Sequence, residues 1–280
     1  MERIKLAIEK ARNGDLGVIP TREQAANTSL HVPPPEKEQA LPSAPNSIQY
    51  RQTEVVTLDD SHLERHRVIA QHKTHPASWS FDVLRTQVLQ QMDEKGWRTL
   101  AITSPTVESG KTLVSINLAM SIAQQTDRTA LLVDFDLRRP KVASSLGLRR
   151  KVSLNDVLES GVDVAEAMVN PGVERLVVLP TDRPVPKAAE VLGSTRVSEL
   201  ISELRDRYGD RIVIFDLPPI LVADDVMAVL PHVDCVLMVV GNGASSEKEI
   251  EEAMMRLSKA PLLGVVLNKD DASARSSYYY

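Results

Sequence analysis

The chain has 280 residues, 42% of them hydrophobic and 25% charged, enough to bury a substantial core behind a solvated surface. Its formal net charge of -5 gives no general attraction to nucleic acid or to an anionic membrane, and its single cysteine excludes an internal disulfide. No apolar run approaches the roughly 20 residues needed to span a bilayer, so membrane association is expected only through a partner.

The first element in chain order is a short amphipathic helix over 1–15. Ile4, Ala7, Ile8 and Ala11 share one face, Glu2, Lys5, Glu9 and Lys10 lie elsewhere, and Asn13-Gly14-Asp15 ends it. A charged start of this kind is not a signal peptide. It suits either docking to a partner or packing on its own domain. Residues 16–77 read as a Pro-rich, mostly flexible linker, because Pro33-Pro34-Pro35, Pro42 and Pro45 come with few large apolar side chains to offset ordering entropy. His31, His62, His66, His72 and His75 lie in or near this stretch. His62 and His66 would share a helix face, but no adjacent glutamate or nearby cysteine completes a metal site, so solvated histidines are expected.

Order resumes near Ser78, where Phe81, Leu84 and Val88 mark a helix face running to about Met92. Strands are expected at Thr99 to Thr103, Ala130 to Asp134, Leu176 to Leu179, Ile212 to Asp216, Cys235 to Val240 and Gly264 to Leu267. Helical patterns fall between them at 111–125, 153–159, 187–208, 223–230 and 246–258. Such alternation predicts an α/β fold over 78–272, a doubly wound and mostly parallel sheet with helices on both faces. Cys235, inside an apolar run, is expected to be a buried and inert thiol. Residues 273–280 read as a mobile tail ending in Tyr278-Tyr279-Tyr280, where aromatics that bury nothing suit modification or docking.

The chemistry centres on residues 100–112. An apolar strand feeds a loop ending in Gly110-Lys111-Thr112, and a helix follows at once. That arrangement aims backbone N–H groups and a helix N-terminus at phosphates, with Glu108, Ser109, Gly110, Lys111, Thr112 and Leu113 as the candidate binding residues. In a P-loop NTPase fold of this kind Lys111 would reach the outer phosphate oxygens of ATP and Thr112 would hold Mg²⁺. Pro105 stands where the usual pattern has its first glycine. Asp134 and Asp136 close one strand and Asp216 closes another, placing hard oxygen ligands at the sheet end where open α/β folds bind. Alternation predicts that Asp134 and Asp136 point to the same side; the competing reading makes these aspartates helix caps.

At these residues the sequence resembles the bacterial tyrosine kinases of capsule and exopolysaccharide assembly, relatives of the MinD/ParA ATPases. Asp134-Phe135-Asp136-Leu137-Arg138-Arg139-Pro140 resembles that family's second Walker motif, and Asp216-Leu217-Pro218-Pro219 followed by Val222-Ala223-Asp224-Asp225 its Walker B region. Leu179-Pro180 through Pro184-Val185-Pro186 to Glu190-Val191-Leu192 is similar to its proline-rich loop, and the tyrosine run to its C-terminal cluster. Gly264-Val265-Val266-Leu267-Asn268 resembles the strand whose terminal Asn contacts adenine.

The resemblance implies a cytoplasmic tyrosine autokinase, peripheral at the inner membrane, that uses Mg-ATP to phosphorylate Tyr278, Tyr279 and Tyr280 and regulates polysaccharide polymerisation or export. It implies Lys111, Asp134 and Asp136 as catalytic residues, with Asp134 orienting or deprotonating the tyrosine, and Thr112, Asp136 and Asp216 as Mg²⁺ ligands. The implied partners are a membrane-embedded chain-length regulator or co-polymerase on a separate chain, further copies of the chain, and a cognate tyrosine phosphatase. Arg138, Arg139 and Lys141 read either as an anion-attracting cluster or as a solvated basic turn.

Two departures stand out. Glu108 occupies a loop position that is usually glycine, where a carboxylate repels a triphosphate unless it points outward. Ahead of the loop, only Arg85 survives from the Glu and two Arg of the family's oligomerisation helix, with Trp79 and Asp82 at the other positions. Two alternatives remain open on sequence: a MinD/ParA-like ATPase switch, which usually has a lysine where Thr106 stands, and a nucleotide-binding scaffold of a polysaccharide assembly.

Overall fold

Short runs of β-branched and aliphatic residues alternate with longer amphipathic stretches, and a computed structural model shows them folded as a wound sheet. It describes residues 53–270 apart from 73, 74, 76 and 126. These belong to one of two compact units, Ser47–Tyr280; the other, Met1–Asn46, lies outside the described residues, as does the helix expected over 1–15.

In chain order the described elements are β1 (Glu54–Val55), α1 (Asp60–Arg65), α2 (Ser78–Lys95), β2 (Thr99–Thr103), α3 (Lys111–Ala123), β3 (Thr129–Asp134), α4 (Val142–Leu146) and α5 (Leu154–Ser160). They continue with α6 (Val164–Ala167), β4 (Val169–Asn170), β5 (Leu176–Leu179), α7 (Ala188–Leu192), α8 (Thr195–Asp206), β6 (Arg211–Asp216), α9 (Asp225–Val229), β7 (Cys235–Gly241), α10 (Glu247–Leu257) and β8 (Leu262–Asn268). The sheet runs β1-β4-β5-β3-β6-β2-β7-β8, and its one antiparallel pair is β4 with β5.

Every residue of β2, β5, β6 and β7 is buried because helices cover both faces of the sheet. Alternate strand residues feed two cores. Leu131, Val133, Val213 and Phe215 join α5, α7, α8, α9 and α10 on one side, with Phe135 and Phe215 rings 5.0 Å apart. Ala130, Leu132, Ile212 and Ile214 join α2 and α3 on the other. Cys235 is fully buried, and burial pushes its thiol up to about 12, which makes it inert as expected. No described helix is long and apolar enough to cross a membrane.

The segment assigned by composition to the linker differs from that expectation in its C-terminal part. Residues 16–52 lie outside the described residues, but 53–72 form a strap built onto the domain. Its β1 pairs with β4, and Leu63, Val68 and Ala70 are buried. The strap needs few apolar residues because Asn117, buried on α3, satisfies its backbone. The Asn117 Oδ1 accepts from the amides of Ile69 (2.8 Å) and Ala70 (2.9 Å), and its Nδ2 donates to the Arg67 carbonyl (3.1 Å). His62 and His66 stack at 4.1 Å, and the His62 ring meets the Ser144 carbonyl on α4 at 2.8 Å, so His62 helps to dock α1.

Two further differences are local. The helix expected over 187–208 is two helices, because Ser194 adopts an extended backbone (ψ 152°) and starts α8. On α2, Asp82 and Arg85 pair at 2.8 Å and both hydrogen-bond Ser121 of α3, so they bind the domain to itself, whereas Trp79 is 62% exposed.

Candidate active site

The loop between β2 and α3 is shaped by two backbone positions that favour glycine. Gly110 has φ of 87°, and a Cβ there would lie 2.1 Å from the Asn268 Nδ2. Glu108 has φ of 62°, a left-handed conformation that strains a residue with a side chain, and that side chain is exposed. The carboxylate thus points out of the loop. Gly241 at the end of β7 lets the loop pass close by, since a Cβ there would meet the Ser109 Cα at 2.9 Å. Thr106 bonds the Ala244 carbonyl (3.0 Å) and the Ser245 hydroxyl (2.6 Å) of the loop after β7. The Asn268 Nδ2, at the end of β8, donates to the Ser109 carbonyl at 2.9 Å.

At the first turn of α3 the predicted residues converge. The Lys111 Nζ lies 2.8 Å from the Asp136 Oδ2 and 3.5 Å from the Asp216 Oδ2. Thr112 donates its hydroxyl to the Asp216 Oδ2 at 2.7 Å. Ser115, one turn further along α3, donates to the Asp216 Oδ1 at 3.1 Å. All four charged or metal-seeking groups are nearly or wholly removed from solvent. Burial alone would pull the Lys111 ammonium down, but the carboxylates of Asp216 and Asp136 outweigh it and hold its pKa above the ordinary lysine value. Burial raises Asp216 above the usual carboxylate range despite Lys111 and Thr112. The pocket is an acidic cage bridged by one lysine.

Asp134 is close to this cage, and backbone amides hold its carboxylate. Its Oδ2 accepts from the amides of Lys141 (3.0 Å) and Val142 (2.9 Å), and its Oδ1 from the amide of Asp136 (3.2 Å). Burial, then repulsion from Asp216, pushes Asp134 well above the ordinary carboxylate range.

Lys111, Thr112, Asp136 and Asp216 are therefore brought into one cluster, with Ser109, Gly110 and Asn268 joined along the loop beside it. Leu113 is half-buried on α3 and lends its carbonyl to Asn117. Tyr278, Tyr279 and Tyr280 lie outside the described residues. Sequence reasoning passed over Ser115, although its spacing from Lys111 and Thr112 puts it on the same helix face. It also left open whether Arg138 is a free cation. The structure pairs Arg138 with Asp225 instead, at 2.7 Å.

A family model described as an AAA domain matches residues 98–260. The tyrosine-protein kinase CpsD of Streptococcus pneumoniae is 31% identical over 179 residues, 63% of this chain and 78% of that one. The tyrosine-protein kinase YwqD of Bacillus subtilis is 29% identical over 222 residues, 79% of this chain and 92% of that one. The solved kinase domain of the Escherichia coli tyrosine kinase ETK superposes with a TM-score of 0.69 at 27% identity, covering 81% of this chain and 93% of that one. A lysine-bridged acidic cage at the start of a loop-fed helix, on a sheet shared with these kinases, fits the matches in sequence, and the chain belongs to the bacterial tyrosine-protein kinase family.

Proposed function

We propose that the chain is an ATP-dependent tyrosine autokinase that phosphorylates its own Tyr278, Tyr279 and Tyr280 and through them regulates polysaccharide polymerisation or export. The observation that carries this reading is the placement of the Lys111 ammonium between Asp136 and Asp216. A positive charge already occupies the acidic cage, which is what a divalent cation with a triphosphate would require of these residues. Thr112, Asp136 and Asp216 offer the hard oxygen ligands for Mg²⁺, and the amides of 108–113 at the start of α3 offer the phosphate cradle.

Mg-ATP, when bound, supplies the transferable γ-phosphoryl group and a charge that screens its oxygens. The chain's own part is positioning and electrostatic stabilisation. Lys111 exchanges its carboxylate partners for phosphate oxygens. Asp134 orients the incoming tyrosine and takes the proton from its hydroxyl as the new O–P bond forms and the bond to ADP breaks. Burial raises its pKa, which strengthens it as a base wherever the group is ionised. Since Asp134 is fully buried, the role requires the turn over 135–141 to open toward the hydroxyl. Asn268 holds the Ser109 carbonyl through its Nδ2, which leaves its Oδ1 to receive the adenine amino group.

We further place the domain boundary earlier than composition suggests, at the strap. Contact with the membrane would come through a separate membrane-embedded chain-length regulator, and a phosphatase would reset the tail. The ATPase-switch alternative loses ground at Thr106, whose hydroxyl is committed to Ala244 and Ser245. The test is to incubate the full chain with Mg-ATP, with and without a membrane-embedded regulator, and map phosphate by mass spectrometry. Phosphotyrosine at 278–280 is expected. ATP turnover without any phosphotyrosine would leave the switch as the better account.

A further inference from the structure

We propose that Arg138 and Asp225 form a latch that holds the loop bearing Asp136 against the segment that follows Asp216, at the separation a metal ion needs, which makes Arg138 a positioning residue. The inference rests on the reading of Asp136 and Asp216 as metal ligands. Arg138 follows Asp136 by two residues, and Asp225 lies beyond Asp216 at the first turn of α9. The contact is a two-pronged fork. The Arg138 Nε donates to the Asp225 Oδ2 at 2.7 Å and its Nη2 to the Asp225 Oδ1 at 2.9 Å, with Asp224 at 3.4 Å alongside. Planar pairing of this kind fixes orientation as well as distance. The Asp225 side chain is 0% exposed and that of Arg138 47%, so the arginine closes over a buried carboxylate from the solvent side.

The need for such a latch follows from where the sheet stops. β3 and β6 are paired as far as Asp134 and Asp216, and one more bond runs from the Phe135 amide to the Asp216 carbonyl at 2.9 Å. Asp136 comes after that ladder. Lys111 bridges Asp136 and Asp216, and the same ammonium would turn to phosphate oxygens on nucleotide binding. At that moment the two carboxylates repel each other, and the Arg138 fork still ties the Asp136 loop to the segment that follows Asp216. Holding ligands in place from outside the coordination sphere typically changes metal affinity by about 10–100-fold.

The test separates positioning from simple stabilisation. ATP binding to the full chain is measured by calorimetry in EDTA and across a Mg²⁺ titration, beside thermal melts, for wild type, Arg138→Lys, Arg138→Met and Arg138→Met/Asp225→Leu. Arg138→Lys keeps the charge and loses the fork. It should raise the Mg²⁺ needed for half-maximal tightening of ATP about tenfold and leave affinity in EDTA unchanged. Arg138→Met should also lower the melting temperature, since it strands a buried carboxylate. The double variant should recover the melting temperature and keep the shifted Mg²⁺ requirement. Recovery of both in the double variant, or an unshifted requirement in Arg138→Lys, overturns the latch. Wild-type ATP binding that ignores Mg²⁺ overturns the metal-ligand reading and the latch with it.

Discussion

The Gly110-Lys111-Thr112 run and the strand-end aspartates were readable as a phosphate site because their chemistry is local and their spacing is fixed. The partners of Asp134 were not readable, since they are the amides of Lys141 and Val142 in the turn after β3. Nor was the outcome at Glu108, where a left-handed backbone turns the carboxylate to solvent. That conformation carries a cost that glycine does not, so Glu108→Gly should stabilise the protein by about 1 kcal/mol in urea denaturation without weakening ATP binding. A second expectation follows from burial. Asp134 has a folded pKa above the ordinary value of about 3.9. It therefore binds its proton more tightly folded than unfolded, favours the folded state at low pH, and loses that advantage as pH rises through its raised pKa. Asp134→Asn should accordingly gain stability relative to wild type as denaturation is repeated from pH 5 to pH 8.

At the scale of elements, the strands that form the middle of the sheet were legible because each is a short apolar run buried on both faces. The strap over 53–72 was not, because what holds it is non-local: β1–β4 pairing, a few buried side chains and one amide side chain on a neighbouring helix. Asn117 gives four hydrogen bonds, three to residues 67–70 and one to Leu113 within α3. Because α3 also carries Lys111, the strap is fastened to the helix that presents the phosphate-binding lysine. Asn117→Ala leaves several buried backbone groups without partners, each costing about 1–3 kcal/mol. The expected result is a lower urea midpoint together with faster amide exchange over 53–72. Unchanged exchange there would mean that the β1–β4 pairing and the buried Leu63, Val68 and Ala70 hold the strap without Asn117.

On the scale of the whole molecule, the wound sheet brings three distant segments to one end, so that residues 111, 136 and 216 share an ion-paired cage. Alternating strands and helices made that architecture legible. The tail tyrosines and the first 52 residues lie outside the described residues, and their roles rest on chemistry that the sheet does not report. The account stands on the cage accepting a metal-bound triphosphate in exchange for Lys111. Equilibrium titration of ATP, with and without Mg²⁺, into wild type and Lys111→Met addresses this directly. The account predicts binding that Mg²⁺ tightens in wild type and that falls by about two orders of magnitude in the variant, as expected when a buried charge partner of the ligand is removed. Equal ATP affinity in the two proteins would contradict it.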